Sequence, residues 1–147
     1  MDIKIRKIEK KDHVQVIELI NNTISPFIPP LDEYDTIWEN FTSQNNVYSL
    51  IACIDDPLLY EDTVVGYYSM TVETKIRGGK MAHLEEMAIL PECQRQGIGI
   101  RLHKAMMDLA TQLGCYKVGF HGRPHNAEWY VAIGFGQAET YFHKFLD

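Results

Sequence analysis

The sequence has few cysteines and no excess of positive charge. Its three cysteines, Cys53, Cys93 and Cys115, are an odd number without the spacing of a metal or redox site. Disulfides are therefore not expected, and a reduced, cytoplasmic setting is favoured. The formal net charge of −6 argues against broad nucleic-acid binding, which needs a surface that neutralises phosphates. A cationic small molecule is easier to accommodate.

The chain has no long apolar run, and no leader segment is expected. No stretch approaches the roughly 20 apolar residues of a membrane-spanning helix, and residues 2–5 alternate like a strand. We therefore expect a chain that is neither inserted in a membrane nor exported. Its 147 residues, 46% of them apolar, suffice for the core of one domain over 1–147.

A metal site is not expected either. His121 and His125 have the i, i+4 interval of a helical ligand pair, but two residues between them argue against a helix. Those residues are Gly122 and Pro124, which disfavour the geometry that would aim both imidazoles at one ion. The sequence therefore predicts chemistry without a metal.

Alternating strand and helix patterns run along the whole chain. They predict an α/β fold of the mixed α+β kind, with antiparallel hairpins early, one crossover unit late and helices on both faces. The first helix is expected to begin at an Asp12 cap. Strands are predicted over 3–8, 47–54, 63–73, 81–90, 116–120 and 135–145, and later helices over 32–41, 98–113 and 127–133.

The loop before the longest predicted helix has the composition of a phosphate cradle. A strand that feeds a glycine-bearing loop into a helix leaves backbone N–H groups unpaired at the positive end of the helix dipole. Glycines also let the backbone approach phosphate oxygens closely. The Walker and dinucleotide patterns are not met, and an ordinary tight turn before a core helix is the alternative. The residues are Gln94, Arg95, Gln96, Gly97, Ile98 and Gly99.

Two adjacent carboxylates and one phenol are the candidates for acid and base chemistry. Glu85 and Glu86 lie in the strand that feeds the cradle, where they point to opposite faces unless a bulge intervenes. One is then expected in a cleft, where desolvation raises its pKa toward that of a general base. Tyr130 could donate a proton to a leaving group. Solvated glutamates, and a tyrosine packed in the core, are the alternatives.

A third group of charges lies at a predicted hairpin tip. Lys75, Arg77 and Lys80 crowd a short segment around Gly78 and Gly79. These cations are either solvated turn residues or a local site for an anionic group on an acceptor molecule.

The ordered combination of these segments resembles the acetyl-CoA-binding core of the GCN5-related N-acetyltransferases, or GNAT superfamily. Three further stretches, 72–75, 79–86 and 114–118, are similar to the glucosamine-6-phosphate N-acetyltransferases within it. In that group the acidic pair is Glu-Asp, whereas the second residue here is Glu86. The segments that carry the superfamily resemblance are 88–91, 94–99, Asn126, 129–130 and 134–135.

The resemblance implies a GNAT acyl-CoA N-acyltransferase fold and a set of acetyl-CoA contacts. The loop 94–99 would hold the pyrophosphate, Asn126 would touch the cofactor, and Tyr130 would donate to the departing sulfur. The backbone groups that would pair with the pantetheine arm belong to Met87, Ala88 and Ile89.

The same resemblance implies an acceptor site. Glu85 and Glu86 would orient the acceptor amine or relay its proton, and three residues would lie near the acceptor: Lys75, Arg77 and His121. The implied activity is direct acetyl transfer to a primary amine of a small molecule, best an amino sugar or its phosphate. Acetylation of a protein N-terminus, a lysine or a polyamine is an alternative, as is a non-catalytic acyl-CoA sensor. The apolar segment 141–146 further predicts a homodimer.

Overall fold

The computed structural model describes residues 2–55, 58, 62–138 and 141–146, which form one five-stranded sheet with helices on both faces. The strands follow the chain order, as β1 (Ile3–Lys7), β2 (Val47–Ile54), β3 (Thr63–Thr74), β4 (Lys80–Ile89) and β5 (Cys115–Gly119). The helices are α1 (His13–Thr23), α2 (Tyr34–Thr42), α3 (Ile98–Gln112) and α4 (Ala127–Ala132).

The sheet is mixed and mainly antiparallel. Strands β1 to β4 are antiparallel neighbours, and β5 runs parallel to β4. Helix α3 is the crossover between those two parallel strands, because a parallel connection must return across the sheet. The predicted architecture is therefore confirmed, with early hairpins and one late crossover.

Two apolar clusters lie on opposite faces of the sheet. Side chains alternate between the faces of each strand, so each face packs under its own helices. The first cluster lies under α3 and includes Val65, Tyr68, Met70, Leu84, Ile98, Leu102 and Met106. The second lies under α1 and includes Val16, Leu19, Ile51, Cys53, Val64, Tyr67 and Ala88.

Two local predictions are wrong. The strand predicted over 135–145 is absent from residues 135–138 and 141–146, although the segment is rich in aromatic residues, and residues 139–140 lie outside the described part of the chain. A segment with high strand propensity forms a strand only where a neighbouring strand pairs with it, and the described part of the chain provides no such neighbour there. Asp12 does not cap α1 with its side chain. Its carboxylate instead accepts the Glu9 N–H at 2.8 Å and the guanidinium of Arg6.

Candidate active site

The segment 94–99 follows a 3-10 turn after β4 (Pro91–Cys93) and runs into α3, whose first two residues are Ile98 and Gly99. Gly97 has φ 80°, a left-handed conformation that favours glycine, and Arg95 also has a positive φ of 63°. The Arg101 N–H donates to the Gly97 carbonyl at 3.1 Å. The N–H groups of 98–100 precede that bond and have no partner within the helix. They open the 15-residue α3, at the positive end of its dipole.

Side chains stiffen this loop and bring it close to β4. Gln94 Nε2 donates to the carbonyl of Ile89 at 3.3 Å, and Gln96 Nε2 donates to the carbonyl of Glu92 at 3.4 Å. A Cβ placed on Gly99 would lie 3.7 Å from the sulfur of Met87 and 3.9 Å from Ile89. The start of α3 therefore rests on the last residues of β4.

The outer edge of β4 is open beside this loop. The pairing between β4 and β5 ends at His83 and Gly119. From 84 to 89, β4 has β3 on one side and no strand on the other among the residues that the structure describes. The backbone groups of Met87, Ala88 and Ile89 thus lie on an edge to which an extended chain of amides can add like a strand.

A β-bulge places both glutamates on one face of the sheet. Tyr68 pairs with Met87 and Met70 with Leu84, so Ser69 lies opposite two residues, Glu85 and Glu86. Leu84 and Met87 both pack in the cluster under α3. The carboxylates of Glu85 and Glu86 lie between those two residues and therefore point to the other face. The sequence predicted opposite faces for them unless a bulge intervenes, and the structure has that bulge.

Both glutamates are exposed, which differs from the expected burial of one of them in a cleft. Neighbouring atoms still desolvate Glu86 enough to raise the pKa of its carboxyl, and the charge of Glu85 raises it further. Beneath them is a buried hydroxyl network, in which Ser49 Oγ lies 3.3 Å from Tyr67 Oη and 3.2 Å from Ser69 Oγ. Burial raises the pKa of Tyr67, so this network stays neutral beside the acidic pair.

Tyr130 lies on α4 and packs among aromatic side chains. Its ring meets the edge of Phe120 at 4.6 Å between centroids, and Phe120 meets Phe135 at 4.8 Å. The Phe135 N–H donates to the Tyr130 carbonyl at 3.0 Å, which ties the end of α4 to the following segment. Tyr130 is half-buried, so the ring is held while part of it stays accessible.

Gly122 makes room for that ring, a role the sequence did not indicate. A Cβ at Gly122 would lie 2.3 Å from Tyr130 Cε2 and 2.9 Å from Phe120 Cε2. In the sequence this glycine is merely a helix breaker between two histidines, and no local pattern reveals which ring passes over it.

A buried tyrosine and a half-buried histidine also approach this region, and neither was predicted. Tyr68 Oη lies 3.5 Å from His103 Nδ1, and the His103 ring contacts Phe135 at 5.4 Å. Burial raises the pKa of Tyr68, and Tyr130 raises it further, while burial lowers the pKa of His103. Both side chains are therefore neutral near pH 7.

The other predicted site residues are scattered. Lys75 and Arg77 lie at the tip of the β3–β4 hairpin, where an open cavity of about 560 Å³ is lined by them and by Tyr116. Lys75 lies six residues beyond Ser69, which faces the bulge, or roughly 20 Å along a strand. The backbone at Lys75 and Arg77 is therefore far from Glu85 and Glu86 of the same chain, although Lys75 Nζ reaches back to Glu73, which lies between them. His121 is exposed and stacks on Tyr141 at 3.9 Å between ring centroids.

Asn126 is exposed at the N-cap position of α4, and its side chain makes no capping hydrogen bond. Among the residues that the structure describes, no three His, Cys, Asp or Glu side chains are grouped so as to hold a metal ion. None of the helices in that part of the chain has the length and apolarity to cross a membrane.

Comparisons with known proteins agree with this geometry. The chain is 24% identical over 137 residues to a probable glucosamine 6-phosphate N-acetyltransferase 2 of Oryza sativa subsp. japonica, covering 90% of this chain and 81% of that one. The glucosamine-6-phosphate N-acetyltransferase of Arabidopsis thaliana shares the fold with a TM-score of 0.84 at 22% identity, over 100% of both chains.

An aminoglycoside N-acetyltransferase solved in complex with CoA has the same fold, with a TM-score of 0.75 at 18% identity over 99% of this chain and 95% of that one. The family model described as the acetyltransferase (GNAT) family matches residues 14–135. Because that match covers most of the chain, the protein belongs to the acetyltransferase (GNAT) family.

Proposed function

We propose that this acetyltransferase moves the acetyl group of acetyl-CoA directly to the primary amine of a small molecule, best an amino sugar or amino-sugar phosphate. The proposal rests on the open edge of β4. The first residues of α3 lie at the end of this edge, and the bulge with Glu85 and Glu86 lies on its face. The names of the rice and Arabidopsis relatives support the choice of acceptor.

The donor would be held by backbone groups more than by side chains. The edge of 87–89 would pair with the amides of the pantetheine arm, and the N–H groups of 98–100 would meet the diphosphate. Arg95 is exposed in the loop and would add positive charge to that site, whereas the Arg101 guanidinium donates to the Ile3 carbonyl at 2.8 Å. Asn126 would contact the arm from the start of α4.

The acceptor would approach from the face that carries Glu85 and Glu86. An alkylamine is protonated near neutrality, so its proton must leave before the nitrogen attacks the thioester carbon. The two carboxylates would attract the ammonium, and they would orient the amine or relay its proton. The backbone N–H near Met87 would stabilise the tetrahedral oxyanion.

Collapse of that intermediate breaks the carbon–sulfur bond. The sulfur leaves as a thiolate, and Tyr130 would donate the proton that it takes up. No cysteine nucleophile is needed, and Cys93 is buried in the core under α3. The roles of Lys75, Arg77 and His121 in acceptor binding stay predictions. If Lys75 and Arg77 bind the acceptor, the anionic group of the acceptor would lie at the hairpin tip.

A thiol-release assay tests the proposal. The protein is incubated with acetyl-CoA and a panel of amines that includes an amino sugar, its 6-phosphate, a polyamine and a lysine peptide. We expect free thiol with the amino sugar or its phosphate above the rate without acceptor. Thiol release with only the polyamine or the peptide would show that the acceptor is of that class and not an amino sugar. Tight CoA binding by calorimetry without release would identify a sensor.

Changing Gly122 to alanine tests the packing of the candidate proton donor. The added methyl group would overlap the Tyr130 ring, so the phenol must move. Displacement by about 1 Å can cost up to about 100-fold in rate, and we expect turnover to fall at least tenfold while CoA affinity changes little. Gly136→Ala is the matched control, because nothing lies within 4 Å of a Cβ placed there. Equal turnover in both variants would contradict this packing role.

We also propose a homodimer formed through the segment 141–146. Its side chains are strongly exposed for a run of aromatic residues, with Phe142 at 86%, Phe145 at 87% and Leu146 at 90%. Sedimentation at micromolar concentration should show a dimer, and the double change Phe142→Asp with Phe145→Asp should give a monomer. Phe27→Asp, at a residue 71% exposed elsewhere, should leave the dimer intact. A wild-type monomer would contradict the proposal.

A cytoplasmic location and the absence of a nucleic-acid partner belong to the same proposal. Cys53, Cys93 and Cys115 are all free thiols, which suits a reducing compartment. The net charge of −6 is unfavourable for phosphate backbones.

A further inference from the structure

His83 and Glu73 form a close pair on the same strands that carry the acidic bulge. His83 Nε2 lies 2.8 Å from Glu73 Oε2, and Lys75 Nζ holds the other oxygen of that carboxylate at 2.9 Å. The hydrogen bonds from Lys75 and then His83 lower the pKa of Glu73, so the carboxylate is ionised near neutrality. A carboxylate only accepts hydrogen bonds, so His83 must donate from Nε2.

That hydrogen bond selects the tautomer of the histidine. When the proton of a neutral imidazole is on Nε2, the lone pair on Nδ1 is free to take another proton. A proton bound at Nδ1 leaves the hydrogen bond from Nε2 to Glu73 in place. His83 keeps 34% of its side-chain surface exposed, so water or an acceptor can reach it.

The pair also lies close to the proposed acceptor site. His83 precedes Glu85 by two residues, a distance of roughly 7 Å along a strand. Leu84 packs under α3, so its two neighbours in sequence, His83 and Glu85, point to the opposite face. His83 is also the last residue of β4 that pairs with β5, which places it where the open edge begins.

We infer that His83 receives the proton of the acceptor ammonium and that Glu73 is the positioning residue that holds its imidazole. This inference rests on the proposed acetyl transfer. The N–H bond of the ammonium breaks and its proton bonds to Nδ1, directly or through one water, which leaves a neutral amine and an imidazolium. The amine then attacks the thioester carbon and becomes positively charged, so the nitrogen loses a second proton, to water, as the carbon–sulfur bond breaks. Tyr130, which protonates the sulfur, regains a proton from solvent, and the imidazolium returns its proton to solvent after the amide product leaves. Glu85 and Glu86 attract the ammonium to this position.

Two acceptors of different basicity separate this role from a structural one. An alkylamine arrives protonated at neutral pH, whereas an alkoxyamine of the same carbon skeleton arrives neutral and needs no base before attack. Since a positioned base typically contributes at least about 100-fold, His83→Gln should lower kcat/KM for the alkylamine about 100-fold and for the alkoxyamine less than about threefold. Glu73→Gln should show the same pattern with about a tenfold loss.

A control and a second measurement complete the test. His13→Gln, at a ring that packs on Tyr34 and Trp38, should leave both rates unchanged. Nitrogen-15 NMR of the free protein should show His83 as the Nε2–H tautomer, and Glu73→Gln should remove that preference. Equal losses for both acceptors, no loss, or an Nδ1–H tautomer would overturn the inference. If the wild-type protein acetylates no amine, the proposed function itself is overturned. The variants test only the roles of His83 and Glu73.

Discussion

Replacement of Tyr130 by phenylalanine is expected to lower the turnover number by about 100- to 1,000-fold and to change CoA affinity by less than about threefold. The phenol is the proposed donor to the leaving thiolate, and a positioned proton donor typically contributes between about 100- and 10,000-fold. The ring itself is retained, so its edge contact with Phe120 and its fit over Gly122 stay in place. The change therefore removes one hydroxyl and little else.

Two measurements separate the effect on chemistry from an effect on binding. Thiol release under saturating substrates gives the turnover number, and calorimetry with CoA gives the affinity. A loss in kcat and in kcat/KM together, with KM little changed, indicates an interaction made in the transition state. Tyr34→Phe, at a half-buried tyrosine that packs on His13, is the matched control. An unchanged turnover number for Tyr130→Phe would remove the phenol from the mechanism.

The strand and helix order could be predicted because it depends on local pattern. β2 is predicted with its observed bounds, and the observed end of β3 lies one residue beyond the predicted one. The loop 94–99 was also found from sequence, since its glycines lie between a strand and a long amphipathic helix. Gly114 and Gly134 end their helices with positive φ values of 81° and 105°, as the sequence predicts.

The arrangement of the site depends on pairing between distant strands, which periodicity does not show. The bulge at Glu85 and Glu86 is set by the register between β3 and β4, and a register shift of one residue changes the face of every later side chain. The contact of His83 with Glu73 spans ten residues across the same hairpin. The predicted strand over 135–145 failed for the related reason that a sequence of strand-forming residues does not specify its partner.

A buried ion pair fixes the first strand to the start of α1, and it leads to the largest expected effect on stability. Arg6 Nη1 and Nη2 donate to the two carboxylate oxygens of Asp12 at 2.8 and 2.9 Å, a bidentate geometry. Arg6 also donates to Asp62 at 3.1 Å and lowers the pKa of that carboxyl. The side chains of Arg6 and Asp12 are only 13% and 2% exposed. The hydrogen bond to Asp12 is the main reason that the pKa of Arg6 is raised.

Arg6→Met should lower the free energy of unfolding by about 3–5 kcal/mol, because it leaves the buried charge of Asp12 without its partner. With a slope of about 2 kcal/mol per molar urea, the midpoint of urea denaturation should fall by roughly 2 M. Lys7→Met, at the exposed neighbour on β1, should stay within about 0.5 kcal/mol of the wild type. The double change Arg6→Met with Asp12→Leu should recover part of the loss, since the Asp12 carboxylate is no longer buried without its partner, while Asp62 still loses the guanidinium and the Glu9 N–H its acceptor. A loss below about 1 kcal/mol for Arg6→Met is the value typical of an exposed pair, and it would show that water reaches Asp12 and that the pair does not stabilise this end of the sheet.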